Sequence, residues 1–471
     1  MQHNHLQNRR PHLLLAGGFM AAICLLLTGP ARVSAQAASP KDPSEELYKL
    51  GFTFQAPATC SNVNCHGAPA GQVKKNKSRE AKTDSYTLWS ADGTPDAPAD
   101  QHHIAFKDLT SASGKAIGAK MKIPIANPAV DAKCISCHSL NPPKDLLKPV
   151  KAGDPILKVS DAVSCNACHG PSGTWTALHD KDADAAISWS TKEQAALGGH
   201  EQLLKKYGFY NTRPLIERAE RCVSCHLAID PEMIAAGHRT PMFELNWFSV
   251  TYNNKHWNDP HDAKDPLAPM FEARLWAAGQ VASLHEALEQ LATRAETAGT
   301  PDADIYNAYN QAMSHYTVFS PAFSTGAIKG NMAQVTAQVT ATRAVLQAKD
   351  KRADLAKAAH AAAAEVAKLD DAVRAYEPTA ASSLKLAQAI AGTPMAATLG
   401  AFGIEQQRDA IFAQYDAYAN AAGNPPAAAT AALAVVQKLF VDPSGKVIRA
   451  EKFPVADYTK TLDEVKKAIA G

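Results

Sequence analysis

The pattern of apolar and polar positions divides the chain into two unlike halves. Past residue 270 the apolar residues recur at helical spacing. Val281, Leu284, Leu288 and Leu291 fall on one face of a helix expected over residues 271–294. Ala362, Val366, Leu369, Val373 and Tyr376 do the same within a long, alanine-rich helix expected from about residue 333. Ile404, Ile411, Tyr415 and Tyr418 mark a further helix that Gly423-Asn424-Pro425-Pro426 would end. These stripes are ordinary core faces and predict an antiparallel helical bundle. Val441 to Val447 reads as a turn between two short strands, and residues 457–470 as a last amphipathic helix. The expected fold class is mainly α.

The first half carries no such rhythm. Pro57, Pro95, Pro98, Pro124, Pro128, Pro142, Pro143, Pro149 and Pro155 interrupt it, and few periodic segments survive before residue 200. Short helices joined by long loops bury too little apolar surface to hold a stretch of roughly 220 residues together. Something other than side chains is expected to fill that core, and without it the chain is not expected to fold stably.

The N-terminus is a leader rather than part of the fold. Arg9 and Arg10 precede an apolar run from Leu13 to Leu27, and Val33-Ser34-Ala35 offers a small-residue cleavage site. The run is short for a membrane span, and no later segment is long and apolar enough. Export to the periplasm or the cell surface is expected, with residues 1–35 removed. Cleavage takes away Cys24 and three arginines, so nine cysteines become eight and the net charge of +2 becomes −1. The basic precursor therefore gives no reason to expect a nucleic-acid partner. The run Lys74, Lys75, Lys77, Arg79 and Lys82 reads as a solvated loop or as a docking patch for an acidic partner.

The eight remaining cysteines carry the chemistry. Cys134 and Cys137 precede His138, Cys165 and Cys168 precede His169, and Cys222 and Cys225 precede His226, each as Cys-x-x-Cys-His. Cys60 and Cys65 precede His66 with two more residues between the thiols. No cysteine is left over. In this spacing two thiols form thioethers to the haem vinyls and the next side chain reaches the iron. A disulfide scaffold would not require a histidine after every pair, and adjacent pairs of this spacing seldom make good bridges. Zinc is the other rival for Cys-x-x-Cys pairs, and export with four placed histidines argues against it. The cofactors expected are four covalently bound haem c groups, with His66, His138, His169 and His226 as proximal ligands. His102, His103, His179, His200, His238, His256 and His261 crowd residues 100–261, whereas only His285, His315 and His360 occupy the rest. The skew places iron ligation in the first half. Met121, Met233, Met242 and Met270 are weaker candidates beside so many histidines.

Residues from about 60 to 262 resemble the cytochrome c-554 family of tetrahaem c-type cytochromes and the wider group of secreted multihaem cytochromes. The resemblance is carried by Asp100-Gln101-His102-His103-Ile104-Ala105-Phe106, by Ser164 to Pro171 with His179 following, by His200 to Arg213 leading into Ala219-Glu220-Arg221-Cys222, and by Met233 to His238 with Phe243-Glu244-Leu245. It implies His102, His179, His200 and His238 as distal ligands, with His103 a neighbour pointing elsewhere and His256 and His261 in reserve. Pattern and resemblance together predict this order: a signal peptide (1–35), a tetrahaem cytochrome c domain of short helices and long loops (36–262), an alanine-rich bundle (263–425), and a tail with a short hairpin and helix (426–471). The function expected is electron relay between redox proteins through mostly bis-histidine haems. No catalytic residue is nominated. The rivals are an oxidoreductase with one open haem acting on a small nitrogen or sulfur species, and a homo-oligomeric haem filament.

Overall fold

The computed structural model describes residues 48–49, 51–61, 66–67, 85–91, 100–123, 131–149, 152–180, 196–198, 200–240, 242–253, 268–348, 351–421, 427–444 and 446–470. The expected leader, Cys65, the basic run at 74–82, His256, His261 and the stop at 423–426 lie outside the described residues. Among the described residues the chain is mainly helical. Pairing of β type is confined to two isolated bridges, parallel Phe54–Leu147 and antiparallel Val441–Val447. The hairpin expected at 441–447 is that single bridge. It closes on the Asp442 carboxylate, which accepts the backbone N–H groups of Ser444 (2.8 Å) and Lys446 (3.0 Å).

The helices of the first half are short, as the prolines require. They are α1 (Ser85–Trp89), α2 (Gln101–Thr110), α3 (Ala112–Lys120), α4 (Ala132–His138), α5 (Cys165–His169), α6 (Ser172–Asp180), α7 (His200–Lys206), α8 (Leu215–His226), α9 (Pro231–Ala236) and α10 (Leu245–Asn253). Aspartates start three of them. Asp100 accepts from the His102 N–H, Asp131 from that of Lys133 and Asp230 from that of Glu232. Among the described residues of this region away from α8, two small apolar clusters form, Trp175 with Leu203 and Leu204, and Phe54 with Leu140 and Leu157.

The second half is a bundle of α11 (Phe271–Glu296), α12 (Asp302–Ser324), α13 (Ala333–Gln347), α14 (Arg352–Ala367), α15 (Asp370–Arg374), α16 (Ala380–Ala391), α17 (Ala396–Ala421), α18 (Ala427–Gln437) and α19 (Val455–Ala470). Helix α11 is the hub and packs on α8, α12, α14 and α17. The expected long helix from residue 333 is instead a pair, α13 and α14, packed on each other. Val335, Val339 and Thr342 on one and Leu355, Ala359, Ala362 and Val366 on the other are all buried. A continuous rod could not bring both stripes into one core.

The core crosses the boundary expected near residue 262. Ala219, Val223 and Leu227 of α8 pack with Phe243, Leu245, Phe271, Leu275 and Ala282. Ile216 joins the main bundle core around Trp276, Phe319 and Tyr458. The last motif helix thus rests directly on α11, with Gly279 admitting Leu245 where any side chain would collide with its Cβ.

Candidate metal centre

Three of the motifs sit at helix ends. His138, His169 and His226 are the last residues of α4, α5 and α8. His66 stands outside a helix, and its Nδ1 lies 3.0 Å from the Ser85 hydroxyl at the start of α1. None of the seven described cysteines forms a disulfide. Among the described residues no three His, Cys, Asp or Glu side chains gather as an ion-binding cluster.

The histidines come in facing pairs. The rings of His102 and His226 have their centres 6.1 Å apart and stand at 86° to each other. Those of His138 and His238 are 6.4 Å apart at 77°. An imidazole nitrogen binds a first-row metal at about 2 Å, so two imidazoles facing one iron place their ring centres roughly 6 Å apart. Both pairs have the separation a single haem iron demands. Each joins a motif histidine to a histidine expected as distal ligand.

The ring nitrogens are set for this. His138 Nδ1 donates to the Ala105 carbonyl at 2.9 Å, and His238 Nδ1 donates to the Arg239 carbonyl at 2.8 Å. A carbonyl only accepts, so Nε2 is the lone-pair nitrogen in each. The Asp100 carboxylate lies 3.4 Å from His102 Nδ1 and favours the same tautomer there. His226 stacks on Phe243 (4.7 Å, 22°) and abuts Phe248. Burial first, then His102 and His138, push its pKa down to about 3, which keeps it the neutral imidazole that ligation needs.

Helix α2 serves both pairs, offering His102 to one and the Ala105 carbonyl to the other. Its start is tied down by Val163, whose N–H donates to the His102 carbonyl (3.1 Å) and whose own carbonyl accepts from Trp89 Nε1 (3.0 Å). His103 meets Trp89 edge-on at 4.5 Å, so the adjacent histidines address different rings. On the other pair, α9 ends at Gly237 in the left-handed region (φ 102°), and the His238 N–H closes the turn on the Met233 carbonyl at 2.8 Å. Lys133 bridges α4 to α9 through Glu232 and Asp230. That ion pair is exposed and contributes little energy.

The thiols of different motifs meet. Cys60 pairs with Cys165, and Cys137 with Cys225, whose Sγ is 3.8 Å from the Ser136 carbonyl. Buried Asn166 fixes the first contact, donating to the Gln55 carbonyl (3.0 Å) and accepting from the Ser172 N–H (2.8 Å). Burial pushes Cys168 up to about 11 and Cys222 up to about 12, shifts that thioether formation would abolish. His169 stacks on Phe209, which Trp175 meets edge-on. His179 is near the end of α6 and His200 opens α7; their side chains lie outside the described ones. The sequence reading did not find Ala105, Ser85, Phe243 or Phe209. Phe243, Ala105 and Phe209 stood in stretches it had singled out, and Ser85 did not.

Residues 98–170 match the family model described as cytochrome c554 and c-prime. The chain resembles the cytochrome c-554 family. It is thereby similar to c-type cytochromes, which hold haem c covalently and transfer electrons. The matched segment contains His102, His138, His169 and their cysteines. His226 and His238 lie outside it, yet each faces a histidine inside it. Comparisons with the curated proteins and with the solved structures find no match.

Among the bundle histidines, His315 is in the core and donates from Nδ1 to Gln280 Oε1 at 2.9 Å. His360 lies against Glu289 and Glu296. Both are engaged by side chains of the bundle itself.

Proposed function

We propose that the chain is an exported tetrahaem c-type cytochrome that relays electrons between redox proteins. The observation that carries this reading is the two pairs of imidazoles with ring centres 6.1 and 6.4 Å apart. His226 with His102, and His138 with His238, would each hold one iron from both sides. Two neutral imidazoles favour a low-spin iron at low potential and leave no position for a substrate. The haems supply one-electron chemistry. The chain contributes ligand tautomers, burial and spacing. His66 and His169 would complete the set, with His179 and His200 as their distal candidates.

The thiol contacts between motifs support short transfer distances, because haems attached there have adjoining edges. Helical bundle and haem region share a core, so the bundle is read as the scaffold on which α8 presents its haem. Export rests on the leader sequence. No described helix is long and apolar enough to cross a membrane.

The test is a haem count by pyridine haemochrome and mass spectrometry, with low-temperature EPR on the same sample. Four haems and only low-spin ferric signals are expected. Three haems would point to the wide Cys60–His66 motif. A high-spin ferric signal that responds to added nitric oxide would replace electron relay with a haem enzyme.

A further inference from the structure

The ring stacked on His226 leads into a buried acidic cluster that electron relay has not used. Phe243 covers His226, and its neighbour Glu244 is only 1 % exposed. The Glu244 carboxylate caps α10, accepting the N–H groups of Asn246 (3.1 Å) and Trp247 (2.6 Å). Helix α17 faces it with Glu405, Arg408 and Asp409, all buried. Glu272 faces it from α11 and hydrogen-bonds Asn246. Arg449 and Glu451 flank Glu405 from the segment before α19, and buried Tyr458 stands beside Asp409.

The charges do not balance. Arg408 is the one buried cation here, held by Glu405 (2.5 Å), by Asp409 (3.4 Å) and by the Ile448 carbonyl (2.7 Å). Asp409 is 1 % exposed, and neither of its carboxylate oxygens receives a hydrogen bond. Arg408 balances one of Glu405 and Asp409, so with Glu244 ionised as well two buried negative charges would stand uncompensated, and part of the cluster must carry protons. Burial pushes Glu244 up to about 7, against the two backbone donors that oppose it.

We propose that Glu244 is a redox-linked proton acceptor for the iron that His226 would hold. On this view, which rests on the function proposed above, Glu244 takes one proton from solvent when a one-electron donor protein reduces that iron. It returns the proton when the electron leaves. The added electron brings one negative charge next to Phe243; the carboxylate-to-carboxyl change removes one. Glu451, about a third exposed and paired with Arg449, is where the cluster meets solvent. The site is bracketed by a second contact between the halves, because Gln406 Nε2 of α17 donates to the Phe243 carbonyl at 2.9 Å.

The experiment is a redox titration of the holo-protein at several pH values, with haem count and EPR on the same samples. One haem's potential is expected to fall as pH rises from about 6 to 8, with a slope up to tenfold in electron affinity per pH unit, or about 59 mV. Glu244→Gln is expected to remove that slope and keep every haem low-spin. In wild type, reduction should also produce a carboxyl C=O infrared band that shifts on deuteration. A slope unchanged in Glu244→Gln overturns the proposal. Should that variant fail to hold its haems, wild type decides: pH-independent potentials, or no carboxyl band, overturn it. Low-spin haems with flat potentials refute this proposal alone, whereas missing haems or an open iron refute the reading beneath it.

Discussion

His102 and His103 are neighbours on α2, and their rings meet different partners: His226 at 6.1 Å for one, Trp89 at 4.5 Å for the other. Replacing His102 by alanine should therefore leave one iron with a single protein ligand, and replacing His103 should not. EPR is expected to show one haem turning high-spin in His102→Ala, with a raised potential, and all haems low-spin in His103→Ala. The same high-spin conversion in His103→Ala would sink the assignment. The sequence marked both histidines, and the family resemblance favoured His102. It could not say which iron His102 serves, because that depends on α8 arriving from far along the chain. Motif histidines and cysteines are legible because covalent attachment fixes their spacing. A distal histidine is bound by no such rule, and its partner is set by packing.

At the scale of elements, apolar periodicity found α11, α14 and α17 and missed the break between α13 and α14. An alanine-rich stretch is helical on either side of a turn, so propensity does not mark the turn. Burial of α11 and its neighbours has a further consequence for acids. Burial, reinforced by Asp416 and Glu244, pushes Glu272 up to about 8, and burial pushes Glu286 up to about 7. Both are protonated in the folded chain at pH values where the unfolded chain, with carboxyls near about 4.3, has lost the proton. The folded state then binds more protons, and its stability falls as pH rises through the folded pKa values. His226 and His315, each pushed down by burial to about 3, act oppositely. Their effect ends above the ordinary histidine pKa of about 6.5, where the unfolded imidazole is neutral too. The buried carboxyls therefore act in the window from about 6.5 to 8, where His226 and His315 no longer do. Denaturant unfolding followed by circular dichroism should give a loss on the order of 1–2 kcal/mol across that window. Glu286→Gln should reduce the slope, and equal midpoints at both ends of the window would count against these buried acids.

For the whole molecule, the two halves differ in what holds them. The bundle has a continuous core running from Met270 to Ile469 through Trp276, Phe319, Ile404 and Val465. The haem region away from α8 has the small clusters at Trp175 and Phe54. Polar links such as Asn166 to Gln55 position segments there, yet a hydrogen bond contributes only about 1 kcal/mol net. Four macrocycles would supply the missing apolar mass, which turns the expectation of an unstable haem-free chain into a divided one. Removing the haem-binding cysteines, by serine substitution in all four motifs, should unfold residues before α8 and spare the bundle. Limited proteolysis with mass spectrometry is expected to leave a protected fragment covering α11 to α19, with a cooperative melt of its own. Helix α8 is the deciding element, because Ala219, Val223 and Leu227 pack on Phe271 and Leu275 without any haem between them. If α8 remains protected in the haem-free chain, the bundle is the platform on which the His226 site is built before its haem is attached. Protection extending through residues 100–180 would instead mean that the first half folds on side-chain packing alone, and the haems would be passengers in it.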